Sequence, residues 1–462
     1  MPEITEAEKV NLLHTLLKEA KIEELTSILQ EMPTVEVAEF LQHLEDEKSI
    51  KFLLKRFAPT YQGRIFSDFD EEIQLRLVDQ FDKREFALIF THMSSDIRAD
   101  LYQELSAEQQ TSLLPFLDKN IREDVISLSS YPPETAGGIM NTDFATILNT
   151  MSVEQAIEKI RKDAPSKKMV YYNYVVDEQQ KLVGFLTLRD LILANPKDLV
   201  ADKVHERYVS AEVTEDRESV AQKIAKYDLL AIPVVNAQGQ LAGIVSHDDA
   251  IDVIRAEHTE DMEKFMGIVP DDDGLSYLDT STVQHFRKRI VWLVGLAAVG
   301  IISGAIVHAY EATIETLLIL ALYMPMMADT GGNAGSQAAT VVIRAIALGE
   351  VKLSSWFKII FKEIRIALLV SLCLGGLAYI KIYLLSTETT LPDGLNLSKV
   401  AIIISLALGI QVISSSVIGA GLPLIVKKLG GDPAVAASPA ITTIVDITGL
   451  LIYFGMATAF LL

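Results

Sequence analysis

Apolar positions recur along this chain with three different rhythms, and each rhythm marks a region. From the start to about residue 130 the spacing is helical with no strand alternation, in short units such as "LQEMPTVEVAEFLQHL", "FSDFDEEIQLRLVDQF" and "FTHMSSDIRADLYQEL". Thr34, Asp70 and Ser95 stand where helices would start. The pattern predicts a stack of short helix pairs. Between residues 136 and 258 it becomes strand, turn, strand, helix, and does so twice. "YVVDEQQKLVGFLTLRDLI" from Tyr174 matches "PVVNAQGQLAGIVSHDDAI" from Pro233 at a constant offset of 59. Thr187 and Ser246 are placed to cap the two helices, each with an acid three residues later. From Arg289 onward five apolar stretches follow, about 290–309, 314–347, 359–384, 400–426 and 434–461. Each reaches the roughly 20 residues that a helix needs to cross about 30 Å of hydrocarbon.

Polar residues inside two of those spans carry the candidate chemistry. "ITTIVDITGLLIYF" puts Asp446 into an apolar run, 12 residues from a span start at Ala434. At 1.5 Å per residue that is about 18 Å, close to mid-membrane. An acid there faces a water-filled path or a partner, unless Thr442, Thr443 or Thr448 satisfies it as a structural group. In the second span, "YMPMMADTGGNAGSQAATVVIRA", Pro325 and the Gly331-Gly332 pair predict an interrupted helix, with Asp329, Thr330, Asn333, Ser336 and Gln337 around the break. Close helix packing through small residues explains the glycines equally well. Carboxylate, amide, hydroxyl and carbonyl oxygens with no nearby Cys or His suit hard cations such as Mg²⁺, Ca²⁺ or Mn²⁺. Arg344 is the one basic residue in these stretches, which disfavours an anion path.

Charge divides the chain as sharply as hydropathy does. Residues 1–286 hold 29 Lys/Arg against 53 Asp/Glu, a balance of 29 − 53 = −24, and residues 287–462 hold 12 against 9, or +3, which together give the net −21. Such an acidic region repels nucleic acid and attracts cations. The single cysteine, Cys373, cannot form an intrachain disulfide, and the polar start "MPEITEAEKV" predicts no cleavable signal. Lys and Arg cluster in "FRKRI", at Arg344, Lys352, Lys358, Lys362 and Arg365, and in "VKK", but are sparse in the other two connections. This placement predicts a cytoplasmic N-terminal part and an outside C-terminus. In the segment after the repeat, Asp249, Asp252, Glu257, Glu260 and Asp261 lie three or four apart on neighbouring faces of one helix. Like charges at that spacing repel, so the helix is either solvated or a divalent-cation sensor.

The duplicated "GFLTLRD" and "GIVSHDD" resemble the signature of a tandem CBS pair, a module that often binds adenine nucleotides. The resemblance implies contacts to ribose and phosphate from Thr187, Asp190, Ser246 and Asp249, and ATP binding with Tyr172 and Arg189. Taken in order, the acidic helical part, the CBS pair, the acidic connecting helix and the five spans with "TGGNAGSQ" and "TTIVDITG" resemble the MgtE magnesium channels. That resemblance implies a multidomain membrane protein: an all-α superhelical domain at 1–131, CBS domains at 132–199 and 200–258, a connecting plug helix at 259–286, and an all-α bundle at 287–462. It further implies a homodimer in the bacterial inner membrane, with a Mg²⁺ path on the two-fold axis. Asp446 and Asn333 line that path, and Thr442, Thr443, Gln337 and Asp329 stand close by in sequence. Regulatory Mg²⁺ would be bridged by Asp216, Glu218, Asp228, Asp249, Asp252, Glu257, Glu260, Asp261 and Asp432, with the corresponding acids of the helical domain unassigned. A divalent-cation transporter coupled to Na⁺ or H⁺, with Asp446 titrating, is the competing expectation, and a non-transporting receptor a third. No nucleophile with a base, phosphate loop or redox motif predicts an enzyme.

Overall fold

The computed structural model describes residues 6–44, 46–164, 167, 169–270, 277, 280–392, 394–436 and 438–462. It divides into two compact units, Met1–Ala256 and Glu257–Leu462.

The first unit begins with the short helices α1 (Glu6–Lys18), α2 (Ile22–Glu31), α3 (Thr34–Gln42), α4 (Glu47–Leu54), α5 (Pro59–Ser67), α6 (Glu71–Val78), α7 (Lys83–Thr91), α8 (Ser95–Glu104), α9 (Ala107–Leu113) and α10 (Lys119–Leu128). α1 packs on α2, and from α3 on each helix packs on the one two places along, α3 on α5, α4 on α6, α5 on α7, α6 on α8, α7 on α9 and α8 on α10, which winds the stack into a superhelix. Leu25, Leu29, Leu41, Leu53, Leu54, Phe66 and Phe90 form its dry interior. Helix starts are fixed locally: Asp82 accepts from the Arg84 and Glu85 amides, and Ser106 forms a reciprocal box with Gln109. Asp70 occupies the cap position of α6 without a side-chain cap bond, whereas Thr34 and Ser95 are the first residues inside their helices.

The duplicated region forms two matching three-stranded sheets. After α11 (Ala136–Ile139), β1 (Phe144–Leu148) leads through α12 (Val153–Asp163) to β2 (Met169–Val176), β3 (Leu182–Thr187) and α13 (Leu188–Leu193). The second copy runs β4 (Ala211–Glu212), α14 (Arg217–Tyr227), β5 (Ala231–Val235), β6 (Leu241–Ser246) and α15 (His247–Phe265). In both, the first strand is parallel to the middle one and the third antiparallel. The pairs Tyr174↔Phe185 and Pro233↔Ile244 preserve the sequence offset of 59 in the hydrogen-bond register. Thr187 caps α13 as predicted, in a box with Asp190.

The second unit is a helical bundle of α16 (Thr282–Ala309), the short α17 (Glu311–Thr316), α18 (Ile319–Ala347), α19 (Trp356–Leu385), α20 (Leu397–Lys428) and α21 (Ser438–Leu461). The long helix α20 is central, packed against α18, α19 and α21, while α16 leans on α21. Among the described residues four helices are long and apolar enough to cross a membrane, at Thr282–Ala309, Leu353–Leu385, Leu397–Lys428 and Ser438–Leu461. α18 matches them in length but carries a row of polar residues. Two expectations need correction. The interruption expected at Pro325 and Gly331-Gly332 is absent, because α18 continues through all three residues and uses its glycines for close packing instead. The connecting helix expected at 259–286 is likewise not one element: α15 starts earlier, at His247, and ends at Phe265, and α16 starts at Thr282.

Candidate functional site

α18 has two opposite faces. Asp329, Asn333 and Gln337 follow one another at four-residue spacing on an exposed face that Thr340 and Arg344 continue. Asn333 Nδ2 donates to Asp329 Oδ1 at 3.3 Å, so the amide and the acid form a local pair. The other face, Gly331, Gly332, Gly335, Ala338 and Ala339, is buried. Its glycines are steric necessities. A Cβ at Gly332 would sit 2.9 Å from Thr442 Cγ2, and one at Gly335 3.1 Å from Ile441 Cγ2, both on α21. Small residues thus bring α18 and α21 into backbone-level contact beside the polar row.

Asp446 lies eight residues into α21 (446 − 438 = 8), which is about 12 Å along the helix rather than the 18 Å expected from a start at Ala434. Residues Pro433–Val435 form a separate single turn instead. Asp446 Oδ1 is buried and has no hydrogen-bond partner among the described residues. The neighbouring hydroxyls do not serve it. Thr442 donates to the Ser438 carbonyl at 3.0 Å, Thr443 to the Pro439 carbonyl at 2.9 Å, and Thr448 to the Ile444 and Val445 carbonyls at 3.1 and 3.0 Å. The structural alternative for this acid, satisfaction by a nearby threonine, is therefore not what the geometry shows.

Carboxylates gather at two other places. In the first unit Asp249 accepts from Asn141 Nδ2 at 3.2 Å, from the Ser246 amide at 3.2 Å and from the Ser246 hydroxyl. Burial, reinforced by the Asp96 charge, nevertheless pushes it up to about 7. Asp100 is pushed up to about 7 as well, by burial first and then by the charges of Asp96, Glu71, Asp249 and Glu104. Asp96, Asp100 and Glu71 were not picked out from the sequence, although Asp96 and Asp100 show the same like-charge i,i+4 spacing that singled out the Asp249 segment. The basic residue of α8, Arg98, turns to Asp124 at 2.7 Å. In the second unit Lys264 Nζ lies 2.5 Å from Glu260 and 2.8 Å from Asp432. Burial alone would lower this ammonium, but the two carboxylates outweigh it and the net shift is upward. Asp261 beside them is raised by burial and by the Asp432 charge.

The remaining predicted acids are scattered. Asp216 caps α14 by accepting from the Ser219 amide, and Asp228 ends that helix in a left-handed conformation at φ 51°. Glu218 accepts from Gln222 Nε2 at 2.9 Å, and exposed Asp252 pairs loosely with Arg255 at 3.8 Å. Among the described residues no three His, Cys, Asp or Glu side chains converge to hold a bare ion. Such loose spacing is compatible with an ion that keeps its water, as Mg²⁺ does.

The family profile described as divalent cation transporter, MgtE, matches residues 324–456, the MgtE intracellular N domain matches 49–134, and CBS domains match 136–197 and 200–256. The magnesium transporter MgtE of Thermus thermophilus is 33% identical over 450 residues, covering 96% of this chain and 97% of that protein. The chain belongs to the MgtE family. The MgtE of Bacillus subtilis is 32% identical over 446 residues, covering 96% of both chains. A crystal structure of the soluble part of a magnesium transporter matches 54% of this chain with a TM-score of 0.51 and 33% identity, covering 98% of that chain. One of the cytosolic domain of the Mg²⁺ channel MgtE in complex with ATP matches 53% with a TM-score of 0.50 and 31% identity, covering 99% of that chain. This MgtE chain is thus an integral membrane protein, with Asn333 and Asp446 inside the transporter match and Asp96, Asp100 and Glu71 inside the N-domain match.

A cavity of about 640 Å³ lies between the two CBS repeats. Tyr172, Phe185, Arg207, Tyr208 and Tyr227 are among its lining residues. Of the six residues expected to contact a nucleotide, Thr187, Asp190, Ser246, Asp249, Tyr172 and Arg189, only Tyr172 lines it. Asp190 is instead committed to Thr187 and to His205 Nε2 at 3.0 Å, and Arg189 is exposed. Phe185 belongs to the first CBS signature, whereas Arg207, Tyr208 and Tyr227 come from outside either signature and carry no motif signal.

Proposed function

We propose that two copies of the chain form a magnesium channel, with the ion path lined by α18 and α21 of each protomer. The observation that carries this reading is the Asp446 carboxylate, the single charge of a 24-residue helix, with one buried oxygen that nothing described satisfies. An ionised acid at that depth costs on the order of 3 kcal/mol unless water or a partner compensates it. A hydrated divalent cation, shared with the symmetry mate's acid, supplies both. Mg²⁺ gives up water reluctantly, so few direct ligands are needed. Asn333, Asp329 and Gln337 offer oxygens and amides to its hydration shell from the open face of α18. Thr442 and Thr443 act through the backbone carbonyls that they already occupy.

Feedback follows from the carboxylates. With the first unit on the cytoplasmic side of a bacterial plasma membrane, as the Lys/Arg placement favours, internal Mg²⁺ neutralises the acids around Asp249, Asp252, Asp216, Glu218 and Asp228. It does the same at Glu257, Glu260, Asp261 and Asp432. Collapse of the mutually repelling charges closes the path, and their release reopens it. ATP in the cavity lined by Tyr172 and Arg207 then tunes the CBS pair.

Flux into liposomes tests the proposal, comparing wild type with Asp446→Ala, with and without internal Mg²⁺. We expect the substitution to cut Mg²⁺ flux by at least about ten-fold, and millimolar-scale internal Mg²⁺ to suppress wild-type flux. Undiminished flux in Asp446→Ala would falsify the path. A requirement for a Na⁺ or H⁺ gradient would replace the channel by a coupled transporter.

A further inference from the structure

Gln411, near the middle of α20, is fully buried, and neither its Oε1 nor its Nε2 has a hydrogen-bond partner among the described residues. Its surroundings explain how it fits but not why it is an amide. A Cβ at Gly331 of α18, or at Gly449 of α21, would overlap the same Gln411 Nε2 atom, and one at Gly449 would also lie 2.6 Å from Cδ. The amide head is therefore held in a slot between two glycines that belong to the two helices assigned to the ion path. The contact continues along α20 at four-residue intervals: the Ser415 carbonyl lies against Gly335, and Gly419 meets the Gly335 carbonyl. Gly331 is two residues from Asn333 on α18, and Gly449 is three from Asp446 on α21.

Burying an amide with neither atom paired is destabilising, and an apolar side chain would avoid that cost. What an apolar side chain of similar length cannot reproduce is the flat head. A leucine or methionine terminus is tetrahedral and thicker than a planar amide, and the slot has backbone on both sides. We propose that Gln411 is a positioning residue for ion selectivity: its planar head sets the separation and rotation of α18 against α21 at the level of Asp446. This rests on the ion-path reading above. It assigns α20, which offers no ligand to the path, the role of gauging its width. A hydrated divalent ion is discriminated by the fit of its shell, so a small change in helix separation changes the choice among ions.

The test is the ratio of Mg²⁺ to Ca²⁺ flux through the full chain in liposomes, with thermal stability in detergent measured in parallel. Gln411→Leu is expected to hold or gain stability, because the unpaired amide is gone, while its Mg²⁺ preference falls by about ten-fold. Gln411→Glu, planar and of the same size, is expected to keep most of the preference. Gly449→Ala, which pushes on the same amide from the other side, is expected to lose it, and Gln411→Ala added to Gly449→Ala to recover part of it. A purely structural role would change stability and leave the ratio alone. Wild-type preference in Gln411→Leu overturns the proposal, as does equal loss in Gln411→Leu and Gln411→Glu. Should Gln411→Leu not fold, Gly449→Ala and Gln411→Glu carry the same comparison. Asp446→Ala is the control. If it abolishes flux while Gln411→Leu changes nothing, this inference fails alone; if it conducts normally, the ion path itself fails.

Discussion

The acid cluster of the first unit and that of the second answer the same electrostatic problem in different ways. The charges acting most strongly on Asp100 and on Asp249 are all those of other carboxylates. The cluster around Asp432 contains Lys264, whose ammonium touches both Asp432 and Glu260. The first cluster is relieved by taking up protons, and on the proposal above by a divalent cation, since burial and repulsion push Asp100 and Asp249 up to about 7. The other carries part of its neutralisation on a tether. The difference teaches that acidic composition alone does not measure sensitivity to an external cation. What counts is how much of the charge the chain has already compensated.

The largest expected effect is on pH dependence without metal. The folded-state pKa of about 7 for Asp100 and Asp249 exceeds the ordinary carboxylate value of 3.8. Between those values the folded state binds protons that the unfolded state does not. Stability therefore falls as pH rises through that window, and the loss is complete above about 7. Asp190 and Glu215 run the other way: burial alone would raise them, but hydrogen bonds to Thr187 and His205, and to Lys223 and Ser219, hold them below the usual range. Their contribution disappears only under acid conditions, outside the window. In EDTA the melting temperature should be higher at pH 5.5 than at pH 8, and Mg²⁺ should flatten the difference by replacing protons. A flat metal-free profile would break the contrast between the clusters.

Removing one of the two acids separates the members. Asp249→Asn keeps the shape and an acceptor for Ser246 while abolishing the charge. It should raise metal-free stability at pH 8 by on the order of 2 kcal/mol and remove much of the pH slope. The stabilisation gained on adding Mg²⁺ should shrink with it. Unchanged Mg²⁺ stabilisation in a calorimetric melt would show that this cluster is not where the ion acts.

Much of this is legible in the amino-acid sequence alone. The offset of 59 survives as strand register because a repeat in sequence becomes a repeat in hydrogen bonds. Asp446 stands out because an acid in an apolar run is costly wherever the helix begins. What the chain alone does not show at Gly331, Asp96 and Gln411 has one cause, which is contact between residues far apart in sequence. Gly331 and Gly332 look like a helix break until Gln411 and Thr442 are seen filling the space their side chains would need. Asp96 and Asp100 gain meaning only because the superhelix carries α8 to Asp249. Gln411 gives no local signal, since one amide in an apolar helix reads as incidental until both its neighbours prove to be glycines.

The smallest expected effect probes the tethered cation. Lys264→Gln removes an ammonium that is only partly exposed and contacts two carboxylates, so it should destabilise the metal-free protein by about 1 kcal/mol. It also leaves Glu260, Asp261 and Asp432 with their full mutual repulsion, which an external divalent ion can then relieve. The internal Mg²⁺ needed to suppress flux should fall by about three-fold. The direction is the informative part. If Lys264 were a structural tie alone, losing it would loosen the closed arrangement and raise the Mg²⁺ requirement. If it stands in for the ion, losing it lowers the requirement while the metal-free protein becomes less stable. Measured together, the suppression midpoint and the EDTA melting temperature distinguish a lysine that braces the second cluster from one that competes with Mg²⁺ for it.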